Sequence, residues 1–249
     1  VTPASTSVKY QDTVRISAIA DQGYKFKEWS WTDSQGSHTS SVLDYSFTMP
    51  AEDMSFTATG QAAEVTYKVL HYKQKPVLVQ GDDYELADTV ILSGLTGDNT
   101  SASAKEYFGF TAQSFVQQTI KADGSTEVNI YYDRNVHTLT LHKNANIAST
   151  SPAADTTVSY RFGAPIVLSA TADNGYNFGY WSDDSAGEEL VSQASTWSFD
   201  MPDDDLEYWA NATPIPATPY LVWHMQESLS TNAYEMKEVQ VLYGPTGSL

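Results

Sequence analysis

The sequence predicts a mainly β fold, α+β at most, made of small β-grasp-like modules in an elongated tandem array. Three observations carry that expectation. Apolar and polar residues alternate with a period of two through most of the chain, the mark of strands with one buried face. The chain also repeats itself at an offset of 152 residues, Gly23-Tyr24-Lys25-Phe26-Lys27-Glu28-Trp29 returning as Gly175-Tyr176-Asn177-Phe178-Gly179-Tyr180-Trp181. Self-similarity on that scale marks a modular array. Turn residues, finally, fall between the alternating runs rather than inside them.

Taken in order, Thr13-Val14-Arg15-Ile16-Ser17-Ala18-Ile19 alternates as a strand. Asp21-Gln22-Gly23 then forms a turn in which glycine supplies a positive φ. Met54-Ser55-Phe56-Thr57-Ala58 and Val65-Thr66-Tyr67-Lys68-Val69 alternate in the same way. Ser101 to Tyr107 offers a short helical turn. Lys121-Ala122-Asp123-Gly124-Ser125 reads as a hairpin turn leading into Val128-Asn129-Ile130-Tyr131-Tyr132. His137-Thr138-Leu139-Thr140-Leu141 opens the second copy, and Asn174-Gly175 repeats the turn. Pro214, Pro216 and Pro219 read as a stiff connector.

A second unit alternates with the first. Tyr67-Lys68-Val69-Leu70-His71 recurs as Tyr220-Leu221-Val222-Trp223-His224, and Leu92, Gly94, Thr96-Gly97 as Leu242, Gly244, Thr246-Gly247. The expected order is A1 (1–62), B1 (63–135), A2 (136–213) and the opening of B2 (214–249). A1 holds no counterpart of the His137 to Leu141 run, and B2 lacks the half that B1 spends on Ala104 to Asn135. The expectation is a window of a longer polypeptide, with B2 poorly ordered or completed by another chain. Modules this small sit near the lower limit for an independent core, so neighbouring modules of the same chain are expected partners.

Composition excludes several classes. Cysteine is absent, which removes disulfides and thiolate metal sites. No apolar run approaches the roughly 18–20 residues of a membrane span, so no membrane insertion is expected in this segment. A net charge of −18 argues against nucleic acid, whose phosphates need clustered Lys and Arg. A2 carries eleven acids against Lys143 and Arg161, a self-repelling, solvated surface. Calcium loops need acids at alternating positions, a glycine turn and a closing Glu. Neither Asp203-Asp204-Asp205 nor Asp183-Asp184 has that spacing, so no metal and no cofactor are expected. No Gly-x-Ser-x-Gly elbow or Gly-x-x-x-x-Gly-Lys loop occurs, and no catalytic residue is assigned.

Trp29 and Trp181 occupy matching positions and read as core residues beside Phe26 and Phe178. Trp31 is the candidate binding residue. A2 places Asp183 at the matching position, so the repeat does not demand an aromatic there, and an exposed indole can cover the apolar face of a pyranose. His71 and His224 recur and read as structural, and His137 and His142 lie on the opening strand of A2. Lys68 or Lys105 with Asn129 would be the partners of a spontaneous isopeptide crosslink. Asn99-Thr100-Ser101 and Asn211-Ala212-Thr213 fit the glycosylation pattern.

Two resemblances follow from these motifs. Module A resembles the divergent InlB B-repeat domains of Gram-positive surface proteins. The match lies in Tyr10-Gln11-Asp12-Thr13-Val14, Gly23 to Trp29 and Phe47-Thr48-Met49-Pro50. A2 departs in its first strand, where two extra residues are expected around Phe162-Gly163-Ala164-Pro165. Module B resembles MucBP-type repeats in Tyr67-x-Val69-x-His71-Tyr72-x-Gln74, Leu92-x-Gly94-x-Thr96-Gly97, Lys105-x-Tyr107-x-Gly109-Phe110, and Asp123 through Asn135. The resemblances imply β-grasp-like folds in extracellular stalks and adhesins of the bacterial cell surface or cell wall, without catalytic residues. A non-enzymatic stalk or adhesin scaffold is therefore expected. The alternative is a glycan- or mucin-binding module making weak multivalent contacts with host glycans, mucin or matrix proteins.

Overall fold

A computed structural model describes residues 1, 3–78, 80–230 and 233–247. Every regular element among the described residues is a strand. The chain divides into two compact units, Val1–Gln74 with Tyr84–Asp133, and Lys75–Asp83 with Arg134–Leu249.

In the first unit, β1 (Thr13–Ile16) pairs antiparallel with β4 (Tyr45–Thr48), while β2 (Tyr24–Asp33) lies between β3 (Gly36–Ser40) and β5 (Phe56–Ala62). Alternation places Val14, Ile16 and Trp29 inside, with Phe26, Trp31, Tyr45, Phe47 and Phe56 packed around them. A four-stranded sheet follows in the order β7 (Tyr84–Leu95), β6 (Glu64–Gln74), β9 (Glu127–Arg134), β8 (Phe110–Ala112). Here β6 and β9 run parallel, and Tyr67, Val69, Val128, Ile130 and Tyr132 form the buried face.

The helical turn expected at Ser101 to Tyr107 does not form; the segment is irregular. Side chains take its backbone groups instead. Tyr67 Oη accepts from Ser101 N at 2.9 Å, Tyr132 Oη from Lys105 N at 2.8 Å, and Gln117 brackets Ala102 through both N and O at 2.9 and 2.7 Å. With those groups satisfied, no i to i−4 ladder is needed.

In the second unit, one sheet runs β12 (Thr157–Arg161), β10 (Val136–Lys143), β17 (Leu206–Pro214), β14 (Tyr176–Ser182), β15 (Leu190–Ser192). A second runs β11 (Ile147–Ser151), β13 (Pro165–Ala172), β16 (Thr196–Asp200). β10 and β17 are parallel. Leu139, Leu141, Ile147, Ile166, Leu168 and Trp181 form the buried core. β18 (Thr218–Glu227) and β19 (Tyr234–Gly244) make a two-stranded hairpin. Tyr220 and Trp223 on it are 50% and 59% exposed, whereas Tyr67, the counterpart of Tyr220, is covered by its sheet.

The repeat is exact in register. β1 pairs Val14 with Phe47 as β13 pairs Ile166 with Phe199, and β2 pairs Trp29 with Ala58 as β14 pairs Trp181 with Ala210. A bulge falls between Phe26 and Glu28, and again between Phe178 and Tyr180. The two extra residues expected near Phe162 are therefore not present. Val14 and Phe47 both carry over by 152 residues, so Tyr10 matches Phe162 and Gln11 matches Gly163. Gln11 and Gly163 share a left-handed backbone, φ 70° and 71°.

The proline-rich connector is also shorter than expected. Pro214 ends β17, Pro219 lies within β18, and only residues 215–217 separate the strands. Ala63 alone separates β5 from β6. Both junctions are clasped alike: Gly23 O accepts from Ala63 N (2.9 Å) and Ala63 O from Thr96 N (3.1 Å). Gly175 O accepts from Ile215 N (3.0 Å) and Ile215 O from Thr246 N (3.0 Å).

Candidate functional site

Trp29 and Trp181 are fully buried. Each indole Nε1 donates to a main-chain carbonyl at 3.0 Å, Leu43 O for Trp29 and Ala194 O for Trp181. Each also leans on the phenylalanine three residues earlier, ring centres 5.5 Å apart. A hydrogen-bonded aromatic in each core closes off the only polar atom of the indole.

Trp31 lies two residues further along β2, on the same face, and caps the open end of the core. It is half-buried. Cross-strand pairing sets His38 opposite it, and the rings stack at 5.3 Å and 22°. Tyr45 and Phe56 pack against it at 5.2 and 5.0 Å. His38 Nε2 contacts Asp33 Oδ1 at 2.8 Å across the β2–β3 turn. That bond from His38, with a second from the Gln35 amide, holds the Asp33 carboxyl below its ordinary range. A cavity of about 230 Å³ is bordered by Trp31, Asp33, His38 and Tyr45. The arrangement offers an aromatic edge beside a carboxylate–imidazole pair, suited to a small polyhydroxyl group. The Asp33–His38 partnership was not read from the sequence; a His two residues past a tight Asp-x-x-Gly turn was its only signal.

The other singled-out residues are held in structural roles. His71 is buried with Nδ1 2.8 Å from Tyr132 Oη, and burial followed by the charge of Lys105 lowers its pKa. His224, its counterpart, is exposed on the hairpin. His137 Nε2 contacts Asp203 Oδ1 at 2.8 Å. His142 bridges Asp155 and Glu207 at 2.7 and 2.8 Å and stacks on Trp209. Burial opposes its proton, but the bonds from Asp155 and Glu207 outweigh burial and raise its pKa.

The acid runs act as turn locks. Asp203 accepts from Asn135 Nδ2 at 2.8 Å, Asp205 from Thr138 N at 2.6 Å, and Asp184 from Glu189 N at 2.7 Å. Each has a lowered pKa, caused first by those same donors. Among the described residues no three His, Asp or Glu side chains converge as metal ligands would.

The structure does not bring the isopeptide partners together. Lys68 pairs with Glu127 at 3.2 Å, Lys105 pairs with Asp88, and Asn129 points outward from β9. Asn211 is 7% exposed and bonded to Ser182 Oγ and Asn144 Nδ2, so its glycosylation motif is closed to an enzyme. No helix among the described residues is long and apolar enough to cross a membrane.

Comparison with curated proteins gives no match. Among solved structures, the chain resembles the Bacillus anthracis TIE protein at 9% identity and a TM-score of 0.34, covering 94% of this chain and 51% of that one. The chain thus spans about half the length of that protein, a likeness too distant to carry a functional argument. A family model is more informative: the divergent InlB B-repeat domain matches residues 1–63 and 139–216. Those stretches hold the two copies that share one register and one buried tryptophan. Together they make up more than half of the sequence, and the chain belongs to the divergent InlB B-repeat domain family.

Proposed function

We propose that the chain is a non-enzymatic repeat segment of a bacterial cell-surface protein, working outside the cell as an extended stalk or adhesin scaffold. The supporting observation is the duplicated B-repeat domain, whose two copies keep the same register, bulge and tryptophan anchor although their surfaces differ. Two copies that share their packing and differ in their surface residues fit a spacer. The intervening segments, 63–135 and 214–249, carry the MucBP-like motifs and belong to the same proposal as alternating modules. Clasped junctions of one to three residues suit modules that must keep their mutual orientation within each pair.

A second reading rests on Trp31. Its half-exposed ring, with Asp33 and His38 beside it, suits weak contact with host glycans or mucin. Such contacts become useful through multivalency when sites are spaced to match. One experiment separates the two: the purified chain and Trp31→Ala are screened against glycans, mucins and matrix proteins at physiological salt, alongside small-angle scattering. The scaffold proposal expects a rod-like scattering profile and no Trp31-dependent binding. Saturable binding lost in the variant transfers the function to the Trp31 cavity, and a compact profile removes the stalk.

A further inference from the structure

We propose that a cavity in B1, floored by the buried His71 imidazole, binds a small free aliphatic carboxylate such as acetate or propionate.

Paired strands fix its walls. β6 and β7 set Tyr67 opposite Leu92, Val69 opposite Val90 and His71 opposite Asp88. Alternation therefore turns Val69 and His71 of β6, with Val90 and Leu92 of β7, to one face. Ser103 and Lys105 close the other side, on the irregular segment tied down by Tyr67, Gln117 and Tyr132. The space between is about 120 Å³. A cavity of about 150 Å³ takes benzene, so this one has room for roughly four to six non-hydrogen atoms.

His71 supplies an unused donor. It is 1% exposed, and the little surface it keeps opens onto the cavity. Its Nδ1 lies 2.8 Å from Tyr132 Oη, which already accepts from Lys105 N at 2.8 Å. Among the described residues the Tyr132 hydroxyl proton has no acceptor except His71 Nδ1. Nδ1 therefore accepts, and Nε2 carries the hydrogen of the ring. Burial first, then the charge of Lys105, lowers the pKa of His71 and keeps the ring neutral. Among the described residues Nε2 has no hydrogen-bond partner, an arrangement that is costly for a buried donor unless something fills the cavity.

The other lining groups select the ligand. Lys105 presents an ammonium that it shares with Asp88, and Ser103 presents a hydroxyl. No acid is among the lining residues. Two nitrogen donors and a hydroxyl suit an oxygen anion, and Val69, Val90 and Leu92 suit a short alkyl chain.

The test titrates the full chain with sodium acetate, sodium propionate and acetamide at constant ionic strength, following the His71 ring nitrogens by NMR. Saturable shifts at Nε2 in the roughly millimolar range are expected. Propionate should bind about fourfold more tightly than acetate, for one more buried CH₂. Lys105→Gln should weaken propionate about tenfold, and Asp88→Asn, which frees Lys105, should tighten it several-fold. His71 itself is kept, because its loss would strand the buried Tyr132 hydroxyl and confound binding with folding. Acetamide as tight as acetate overturns the anion, and equal affinity for acetate and propionate overturns the aliphatic wall. Absence of a saturable shift at His71, or affinity indifferent to Lys105→Gln, overturns the site. A tripeptide ending in alanine should bind no better than propionate; tighter binding overturns the free acid as ligand in favour of a polypeptide terminus.

Discussion

Replacing Trp181 by Phe tests whether the repeated tryptophan is the anchor of each B-repeat core. The indole is fully buried, packs on Phe178 at 5.5 Å and donates to Ala194 O at 3.0 Å. Phenylalanine cannot donate, and the lost hydrogen bond costs about 0.5–1.5 kcal/mol. The smaller ring leaves a void of about 40 Å³, costing about 1 kcal/mol at roughly 24 cal/mol per Å³, with the lost transfer energy added to it. The sum is about 2–3 kcal/mol, against a total domain stability of about 5–15 kcal/mol. At about 4–8 °C per kcal/mol for a module of this size, unfolding of A2 should fall by about 10–20 °C. Thermal melts by near-ultraviolet circular dichroism would be paired with hydrogen exchange at β14 and β17, which assigns the loss to A2. Trp31→Phe is the control: half-buried and stacked on His38, it should cost less than about 1 kcal/mol. Equal shifts for the two variants, or a larger one for Trp31→Phe, would refute the anchor role.

Further outcomes follow from the same geometry. Gln11→Gly should stabilise A1 by up to about 1 kcal/mol, because Gln11 holds a left-handed φ of 70° where A2 has glycine, a strain larger than glycine's entropic cost; denaturant melts would show it. Gly23→Ala should loosen the A1–B1 junction by about 2 kcal/mol or more, since an added Cβ meets the Ala122 backbone at 2.5 Å, and exchange at Ala63 and Thr96 reports it. The two units should respond to pH with opposite sign. His142 has a raised pKa, so its contribution is complete below the ordinary value of 6.5 and fades as pH rises through the higher folded value. His71 has a lowered pKa, so its contribution is complete above 6.5 and fades as pH falls towards the lower folded value. Hydrogen exchange at β10 and at β6, measured from about pH 5 to 8, should diverge, and His142→Gln should remove the alkaline trend.

Much of the fold was legible because burial leaves a period in the sequence. The run from His137 to Leu141 announces a strand, and its leucines are the ones buried. Neighbour identity leaves no such mark, so the parallel pairing of β10 with β17 could not be read. The segment from Ser101 to Tyr107 misled because propensity ignores distant Tyr67, Gln117 and Tyr132, which take its backbone bonds. Around Phe162 the first-strand motif predicts two extra residues in A2, whereas the structure keeps one register and matches the two positive-φ residues, Gln11 and Gly163. For the candidate site, the sequence placed Trp31 outside the template. It did not reveal that His38 covers the ring, because that contact depends on cross-strand pairing through a turn.

Where the end strands lie decides how such a chain carries load. B1 sets its first strand β6 beside its last strand β9, and A2 sets β10 beside β17, parallel in both cases. Tension applied through the backbone therefore pulls the two strands of each pair along their own axes in opposite directions. The ladder bonds between them are strained together and must break nearly at once, whereas a hairpin pulled from its open end unzips one bond at a time. β18 and β19, antiparallel and joined at one end, have the second geometry. In a force-extension measurement the complete modules should yield at high force in discrete steps, and the hairpin should peel away first at low force.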